Sequence, residues 1–181
     1  MIGSWNVDVT VGGMPEKVAT AFGKLNEMVG CEYTPIAYLG SQIVNGTNYA
    51  VLAEQTVLTG KDTENIVLVI FNEKPGDIDL TLVAIDRVLE GGAEYGGATI
   101  NVETGEFDKT AQIVFDKALA GFVGSVVTPF ALLGTQITRG TDFIFAAEVA
   151  PVVADNDKSI KTVALVTVNE LELGASFKNI L

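Results

Sequence analysis

The chain has 181 residues, of which 48% are hydrophobic and 19% are charged. This composition excludes intrinsic disorder and supplies enough apolar side chains for one core or for two small ones. The formal net charge is −12 at pH 7, so no excess of Lys and Arg offsets repulsion by phosphate groups. We therefore expect neither nucleic acid nor an anionic membrane surface as a partner.

The sequence contains no histidine and a single cysteine, Cys31. Catalytic triads and metal sites that depend on histidine are therefore excluded, as are an internal disulfide and a thiolate zinc site. The amino terminus lacks the basic and apolar regions of a signal peptide, and no apolar run approaches a membrane-spanning length. We expect a protein that is not an enzyme, that needs no cofactor or metal, and that is cytoplasmic or part of an assembled particle.

The chain repeats itself. Residues 34–54 align with residues 128–148 at an offset of 94 (128 − 34), and eleven of the 21 aligned positions are identical. The same offset extends backwards to Gly3 and Gly97. A fixed offset of this kind is the signature of a duplicated structural unit.

The repeat predicts two domains, residues 1–89 and residues 97–181. Between them, residues 90–96 are rich in glycine, as flexible linkers are. Further along, Asn72 aligns with Asn169 at an offset of 97, so the second copy is expected to hold three extra residues in a connecting loop.

Each copy has the same predicted order of elements. In the first, residues 4–11 alternate as a strand does, and apolar residues recur at helical spacing from Val18 to Val29, after Pro15. Four further strands are predicted at residues 34–43, 47–57, 65–73 and 79–86. The sequence therefore predicts an α+β fold of two domains, each with one helix packed across an antiparallel sheet of four to five strands.

The central strands are apolar on both faces. Every residue from Ile66 to Phe71 is apolar, whereas an antiparallel strand with one solvated face alternates. One helix covers only one face of a sheet. We expect the other face to contact the sister domain, a second subunit or another protein.

A recognisable motif lies in the first copy. Residues 42–46 read Gln-Ile-Val-Asn-Gly, which fits the Q-x-V-x-G signature of the cystatins, and Pro75-Gly76 resembles the second loop of stefin-type members. Gly3 precedes the helix as the cystatin amino-terminal glycine does. The first copy therefore resembles the cystatin superfamily. The second resembles a degenerate copy, because Thr138 replaces the valine and no Pro-Gly follows.

This resemblance implies two tandem cystatin-like domains and a binding function. Cystatins inhibit papain-like cysteine proteases by inserting an amino-terminal glycine region and two hairpin loops into the active-site cleft. Gly46 would let the backbone approach that cleft closely, because it has no side chain. The residues implied in such a wedge are Gly3, Gln42, Ile43, Val44, Asn45, Gly46, Pro75 and Gly76.

Other interpretations of the same residues stay open. Asn45-Gly46 is typical of a type I′ hairpin turn, and Pro75-Gly76 is an ordinary turn pair, so neither needs a binding role. Latexin-like proteins carry tandem cystatin-like domains and inhibit a different protease class. The alternative function is a structural, self-assembling subunit of a filament, shell or virion. The partner is a papain-like cysteine protease in the first case, and further copies of the chain, forming a homo-oligomer, in the second.

Overall fold

The computed structural model describes residues 3–61, 63–92, 96–152 and 160–181. The chain divides into two compact units, unit 1 (Met1–Gly91) and unit 2 (Gly92–Leu181). The boundary lies in the glycine-rich segment that the sequence suggests as a linker. Residues 93–95 of that segment lie outside the described residues.

Unit 1 contains five strands and one helix within its described residues. They are β1 (Trp5–Val11), α1 (Glu16–Leu25), β2 (Cys31–Val44), β3 (Gly46–Val57), β4 (Thr63–Glu73) and β5 (Thr81–Glu90). The strands form one antiparallel sheet in the order β1-β2-β3-β4-β5. Each strand therefore lies beside its neighbour in sequence, and the predicted strand positions of the first copy are confirmed to within a few residues.

Unit 2 repeats this order in its described residues. Its elements are β6 (Thr99–Thr104), α2 (Lys109–Leu119), β7 (Ser125–Thr138), β8 (Gly140–Pro151), β9 (Thr162–Asn169) and β10 (Ala175–Asn179). The sheet order is β10-β9-β8-β7-β6, again antiparallel throughout. The duplication read from the sequence is thus a duplication of structure.

The two helices start differently. The first turn of α2 is capped by Asp108, whose carboxylate accepts hydrogen bonds from the backbone N–H groups of Thr110 and Ala111 at 2.9 and 3.0 Å. Helix α1 has Pro15 at the same place and no side-chain cap, because proline has no side-chain acceptor; the Pro15 carbonyl accepts from the N–H groups of Val18 and Ala19 at 2.9 and 3.0 Å. Both helices bury one apolar side against the sheet of their own unit.

Helix α1 is shorter than the periodicity predicts. It ends at Leu25 because the next side chain ties the chain to β2: the Asn26 amide donates to the Tyr33 carbonyl at 2.9 Å and accepts from the Tyr33 N–H at 2.8 Å. Met28 and Val29, which the helical spacing assigned to the apolar side, lie beyond the helix and are exposed.

The core of unit 1 is built mainly by its strands. The buried cluster on the helix side holds four residues of α1 and eight residues of β2, β3 and β4. The opposite face of the same strands is buried too, at Leu52, Ile66 and Leu68. Both faces of the central strands are therefore excluded from solvent, as their apolar pattern predicts.

The predicted fold class, two tandem α+β cystatin-like domains with a helix across each sheet, is wrong. The structure is mostly β, with 58% strand and 12% helix, and its described residues form two five-stranded antiparallel sheets with only two helices. The reason is strand length. Strands β2 and β7 have 14 residues each, far above the usual five or six, whereas α1 and α2 have 10 and 11.

The sequence offset between equivalent residues of the two copies changes along the chain. Phe22 and Phe115 occupy equivalent core positions at an offset of 93 (115 − 22), whereas the next strands align at 94. The extra residue of unit 2 lies at the end of its longer helix. The later offset of 97 is confirmed, because Asn72 pairs with Asn48 as Asn169 pairs with Asp142. The three further residues fall between β8 and β9, where residues 153–159 lie outside the described residues.

Candidate functional site

The sheet brings the predicted wedge segments of unit 1 to one end. Strand β1 begins beside the end of β2, where Trp5 pairs with Gln42. The hairpin between β2 and β3 turns at the same end, and β4 ends there too, where Thr47 pairs with Glu73. Gly3, the hairpin 42–46 and the turn 74–77 are therefore neighbours, and together with Ile78 they are called the loop end of unit 1.

Backbone and side-chain hydrogen bonds fasten Gly3 to the hairpin. The Gly3 N–H donates to the Ile43 carbonyl at 3.0 Å, and the Gln42 amide donates to the Gly3 carbonyl at 2.8 Å. The glutamine of the motif therefore holds the amino-terminal segment in place. Its side chain is partly buried and is engaged within the unit.

A row of amides extends this fastening across the sheet. The Asn48 amide donates to the Gln42 side-chain oxygen at 3.0 Å, and the Asn72 amide donates to the Asn48 side-chain oxygen at 2.8 Å. The row links β4, β3 and β2 to Gly3. Gln42 and Asn48 each serve as donor and acceptor, and Asn72 donates at the end of the row, so the loop end carries a connected polar network. The motif search did not identify Asn48 and Asn72 as part of the site.

The turn of the hairpin differs from the predicted type I′ turn. Val44 pairs with Gly46, so Asn45 alone stands between the paired residues. A type I′ turn needs positive φ at both central residues. Gly46 has φ of 101°, but Leu173 is the one non-glycine residue with positive φ among those described, so Asn45 does not qualify.

Gly46 has a packing role inside the unit. A Cβ added to it would overlap the backbone carbonyl of Glu73 and lie 3.1 Å from the Lys74 α-carbon. The first hairpin and the second loop thus touch backbone to backbone at this glycine. The absence of a side chain is required by the fold itself, whether or not a partner approaches.

The Pro75-Gly76 turn is confirmed. The Asp77 N–H donates to the Lys74 carbonyl at 3.1 Å, and Gly76 has φ of 90°. Proline at the second position and glycine with positive φ at the third are the residues of a type II turn. Proline restricts the backbone conformations of this loop.

Apolar side chains project from the loop end. Ile43 is 62% exposed, and Val44 and Asn45 are exposed beside it. Ile78, which follows the proline turn, is 93% exposed. The motif comparison did not include Ile78, and an isoleucine among acidic loop residues is the signal that could have found it. Ile43, Val44 and Ile78 are the exposed apolar side chains of the loop end.

A charged cluster supports the loop end from the helix side. The Glu73 carboxylate accepts hydrogen bonds from the Lys17 ammonium at 2.6 Å and from the Tyr49 hydroxyl at 2.7 Å, and the ammonium lies 4.7 Å from the centre of the Tyr49 ring. The bond from Lys17 lowers the pKa of Glu73, with Tyr49 acting in the same direction. The same bond to Glu73 raises the pKa of Lys17. Glu73 therefore connects α1 and β3 to the hairpin, because its side chain binds Lys17 and Tyr49 while its own backbone carbonyl packs against Gly46.

The equivalent end of unit 2 is fastened in the same way. The Gln136 amide donates to the carbonyl of Gly96, so Gly96, and not the predicted Gly97, is the counterpart of Gly3. Ile137 is 74% exposed, and Leu171 is exposed beside Gly140. The loop after β9 has no proline turn. Instead, the Asn169 side-chain oxygen accepts hydrogen bonds from the N–H groups of Leu171 and Glu172.

Within the described residues, neither α1 nor α2 has the length and apolar character that a membrane-spanning helix requires. Comparisons with known proteins add no relative: no protein-family model, no curated protein and no solved structure matches this chain. The evidence for function is therefore the geometry of the loop end together with the motif in the sequence.

Proposed function

We propose that the protein is a non-enzymatic binding protein whose unit 1 inserts its loop end into a cleft of another protein, with papain-like cysteine proteases as the target class. One observation carries this proposal. Gly3, the hairpin 42–46 and the turn 74–77 are separate in sequence but adjacent at one end of the sheet, held together by the bonds from Gly3 and Gln42 and by the contact at Gly46. This is the arrangement that the cystatin-like motif requires of a wedge.

The exposed apolar side chains give the loop end its expected binding energy. Full burial of an aliphatic side chain contributes about 1.5–3 kcal/mol. Ile43, Val44 and Ile78 are all exposed and lie on the hairpin and the second loop. The proline turn and the amide row reduce the ordering cost of binding, because both loops are held before the partner arrives.

The experiment is a titration of papain activity with the full chain, using a matched pair of substitutions. Val44→Asp places a charge beside the tip of the unit 1 hairpin, and Thr138→Asp places the same charge at the equivalent position of unit 2. We expect inhibition by the wild type, a loss of about 10- to 100-fold in affinity for Val44→Asp, and no change for Thr138→Asp. Both positions are exposed and precede the tip of a hairpin, so both variants should fold.

Two results contradict the proposal. The first is an absence of inhibition by the wild type at micromolar concentration across several papain-like proteases. The second is equal loss in both variants, which indicates a nonspecific effect of charge. Circular dichroism of each variant distinguishes lost binding from lost structure.

The second candidate is a self-assembling structural subunit, which a different set of exposed residues favours. At the end of each sheet opposite its hairpin, Val29 and Val123 are almost fully exposed at equivalent positions. Leu58 and Val152, also exposed, lie beside them through matching bonds of 2.9 Å to the carbonyls at positions 30 and 124. Contiguous apolar side chains exposed at a surface mark contact sites, and this pairing recurs at the same place in both units.

Light scattering of the full chain over a range of concentrations tests this second candidate. Assembly should grow with concentration and weaken when Val29→Ser and Val123→Ser are combined. A particle that stays monomeric at every concentration contradicts it and leaves the binding proposal unaffected.

A further inference from the structure

We propose that Asn45 is a site of spontaneous covalent modification, at which the side-chain amide is lost by reaction with the following backbone nitrogen. The sequence contains a single Asn-Gly pair, and it stands at the tip of the unit 1 hairpin. The residue is exposed and is the one residue between the paired Val44 and Gly46. Sequence and fold thus place the most reactive asparagine context at an exposed turn.

The side chain of Asn45 is free to react. Within the described residues it makes no hydrogen bond, whereas the neighbouring amides of Asn48 and Asn72 are engaged in the row across the sheet. Gly46 adds no side chain that would shield its own nitrogen, and glycine has the widest range of backbone conformations. The Asn45 amide carbon therefore lies on an exposed side chain, next to a residue that adds no side chain of its own.

The chemistry needs only water. The Gly46 backbone nitrogen attacks the Asn45 side-chain Cγ, a C–N bond closes a five-membered succinimide ring, and ammonia leaves with the proton from the Gly46 nitrogen. Water then adds to one of the two ring carbonyls. Opening at one bond gives aspartate and at the other gives isoaspartate, so the balance is one water consumed and one ammonia released.

Both products change the loop end. Each places a carboxylate, which is ionised at neutral pH, at a tip whose next residue, Gly46, touches the Glu73 backbone. Isoaspartate also adds one methylene to the main chain immediately before Gly46, whose α-carbon is packed against the Glu73 carbonyl. We expect the contact between the hairpin and the second loop to loosen. If the loop end binds a partner, as proposed above, binding weakens with age; the modification itself does not depend on that function.

The test is ageing of the folded full chain in warm, mildly alkaline buffer, followed by peptide mass spectrometry. We expect the peptide that contains Asn45 to gain the mass difference between NH₂ and OH and to split into aspartate and isoaspartate forms. The internal control is Asn101, which is also exposed and is followed by valine. Asn45 should convert several-fold faster than Asn101. An Asn45→Gln variant should lose the fast conversion, because its longer side chain forms the ring less readily.

Three results would overturn the inference. They are equal rates at Asn45 and Asn101, conversion of Asn45 only after the chain is unfolded in urea, and a mass gain in the Asn45→Gln variant equal to that of the wild type. None of these measurements involves a protease. A failure here is therefore distinguishable from a failure of the binding proposal.

Discussion

The loop ends of the two units share their fastening and differ in the surface they present. In each, a glutamine at the end of the second strand donates to a glycine carbonyl ahead of the first strand, Gln42 to Gly3 and Gln136 to Gly96. Unit 2 keeps this glutamine although the rest of the motif is changed, since Thr138 stands where unit 1 has valine. The comparison teaches that the glutamine belongs to the fold. A binding role specific to unit 1 rests on the valine, the proline turn and the exposed Ile78, because Ile137 is exposed in unit 2 as Ile43 is in unit 1.

The units also differ in how the residue at the end of the fourth strand is used. Glu73 binds Lys17 and Tyr49 through its carboxylate. In unit 2, the equivalent Glu170 accepts instead from the Thr141 N–H at 3.0 Å, and phenylalanine replaces the tyrosine at residue 143. The same glutamate thus fastens a helix to the loop end in unit 1 and the hairpin to the loop in unit 2.

The largest expected effect is a difference in lost stability between alanine substitutions at the two hairpin glycines. Gly46→Ala forces a side chain against the Glu73 backbone and at positive φ, which we expect to cost about 2–5 kcal/mol. Gly140→Ala meets mainly the side chain of Leu171, which is exposed and able to rotate, so only the backbone strain of about 1–3 kcal/mol remains. Urea denaturation of the full chain measures both, with hydrogen exchange assigning the loss to a unit. Equal costs would show that the backbone contact at Gly46 is not decisive.

The next effect concerns the charge on Glu73. Glu73→Gln removes the charge that Lys17 binds, so we expect a lower melting temperature at neutral pH. Glu170→Gln, the matched control, keeps an acceptor oxygen for the Thr141 N–H and should lose less.

The pH dependence of the melting temperature tests whether the charge on Glu73 is what stabilises the wild type relative to Glu73→Gln. The pKa of Glu73 is lowered from its ordinary 4.5 by Lys17. Its contribution is therefore present above 4.5 and is lost as the pH falls through the lowered folded value. The difference between wild type and Glu73→Gln should shrink in acid. A difference that is the same at every pH would contradict the ion-pair explanation.

The smallest expected effect is a change in stability on neutralising a glutamate, and its sign is opposite in the two units. Glu54 is partly buried, and this burial, followed by repulsion from Glu64, raises its pKa. The equivalent Glu148 instead binds Lys161 at 2.8 Å. We expect Glu54→Gln to stabilise and Glu148→Gln to destabilise at neutral pH, each by less than about 1 kcal/mol.

Thermal melts over a pH series check these signs. For Glu54 the folded-state pKa is the higher one, so its ionisation costs stability as the pH rises from 4.5 through that value. The gain from Glu54→Gln should therefore disappear in acid. Two changes of the same sign at neutral pH would refute the comparison.

Much of the local structure was predictable from the sequence, and so was the repetition. Period-two and helical spacing located the strands and α1, because alternation and amphipathicity are properties of neighbouring residues. The end of α1 was not predictable from spacing, since it depends on the Asn26 bonds to Tyr33 on another element. The prediction of the fold class was wrong for a related reason. The spacing gives the order of elements but not the balance between two short helices and strands as long as β2 and β7.

For the candidate site, the sequence alone determined the motif, the Pro75-Gly76 turn, the single Asn-Gly pair and the absence of histidine, because these depend on residue identity and on local backbone preference. Only the tertiary structure decided that Gln42 serves the fold, that Gly46 is packed against Glu73, and that Gly96 is the counterpart of Gly3. Each of these facts joins residues that lie far apart in the chain. Such contacts are set by strand register and close packing between elements, and no local pattern encodes them.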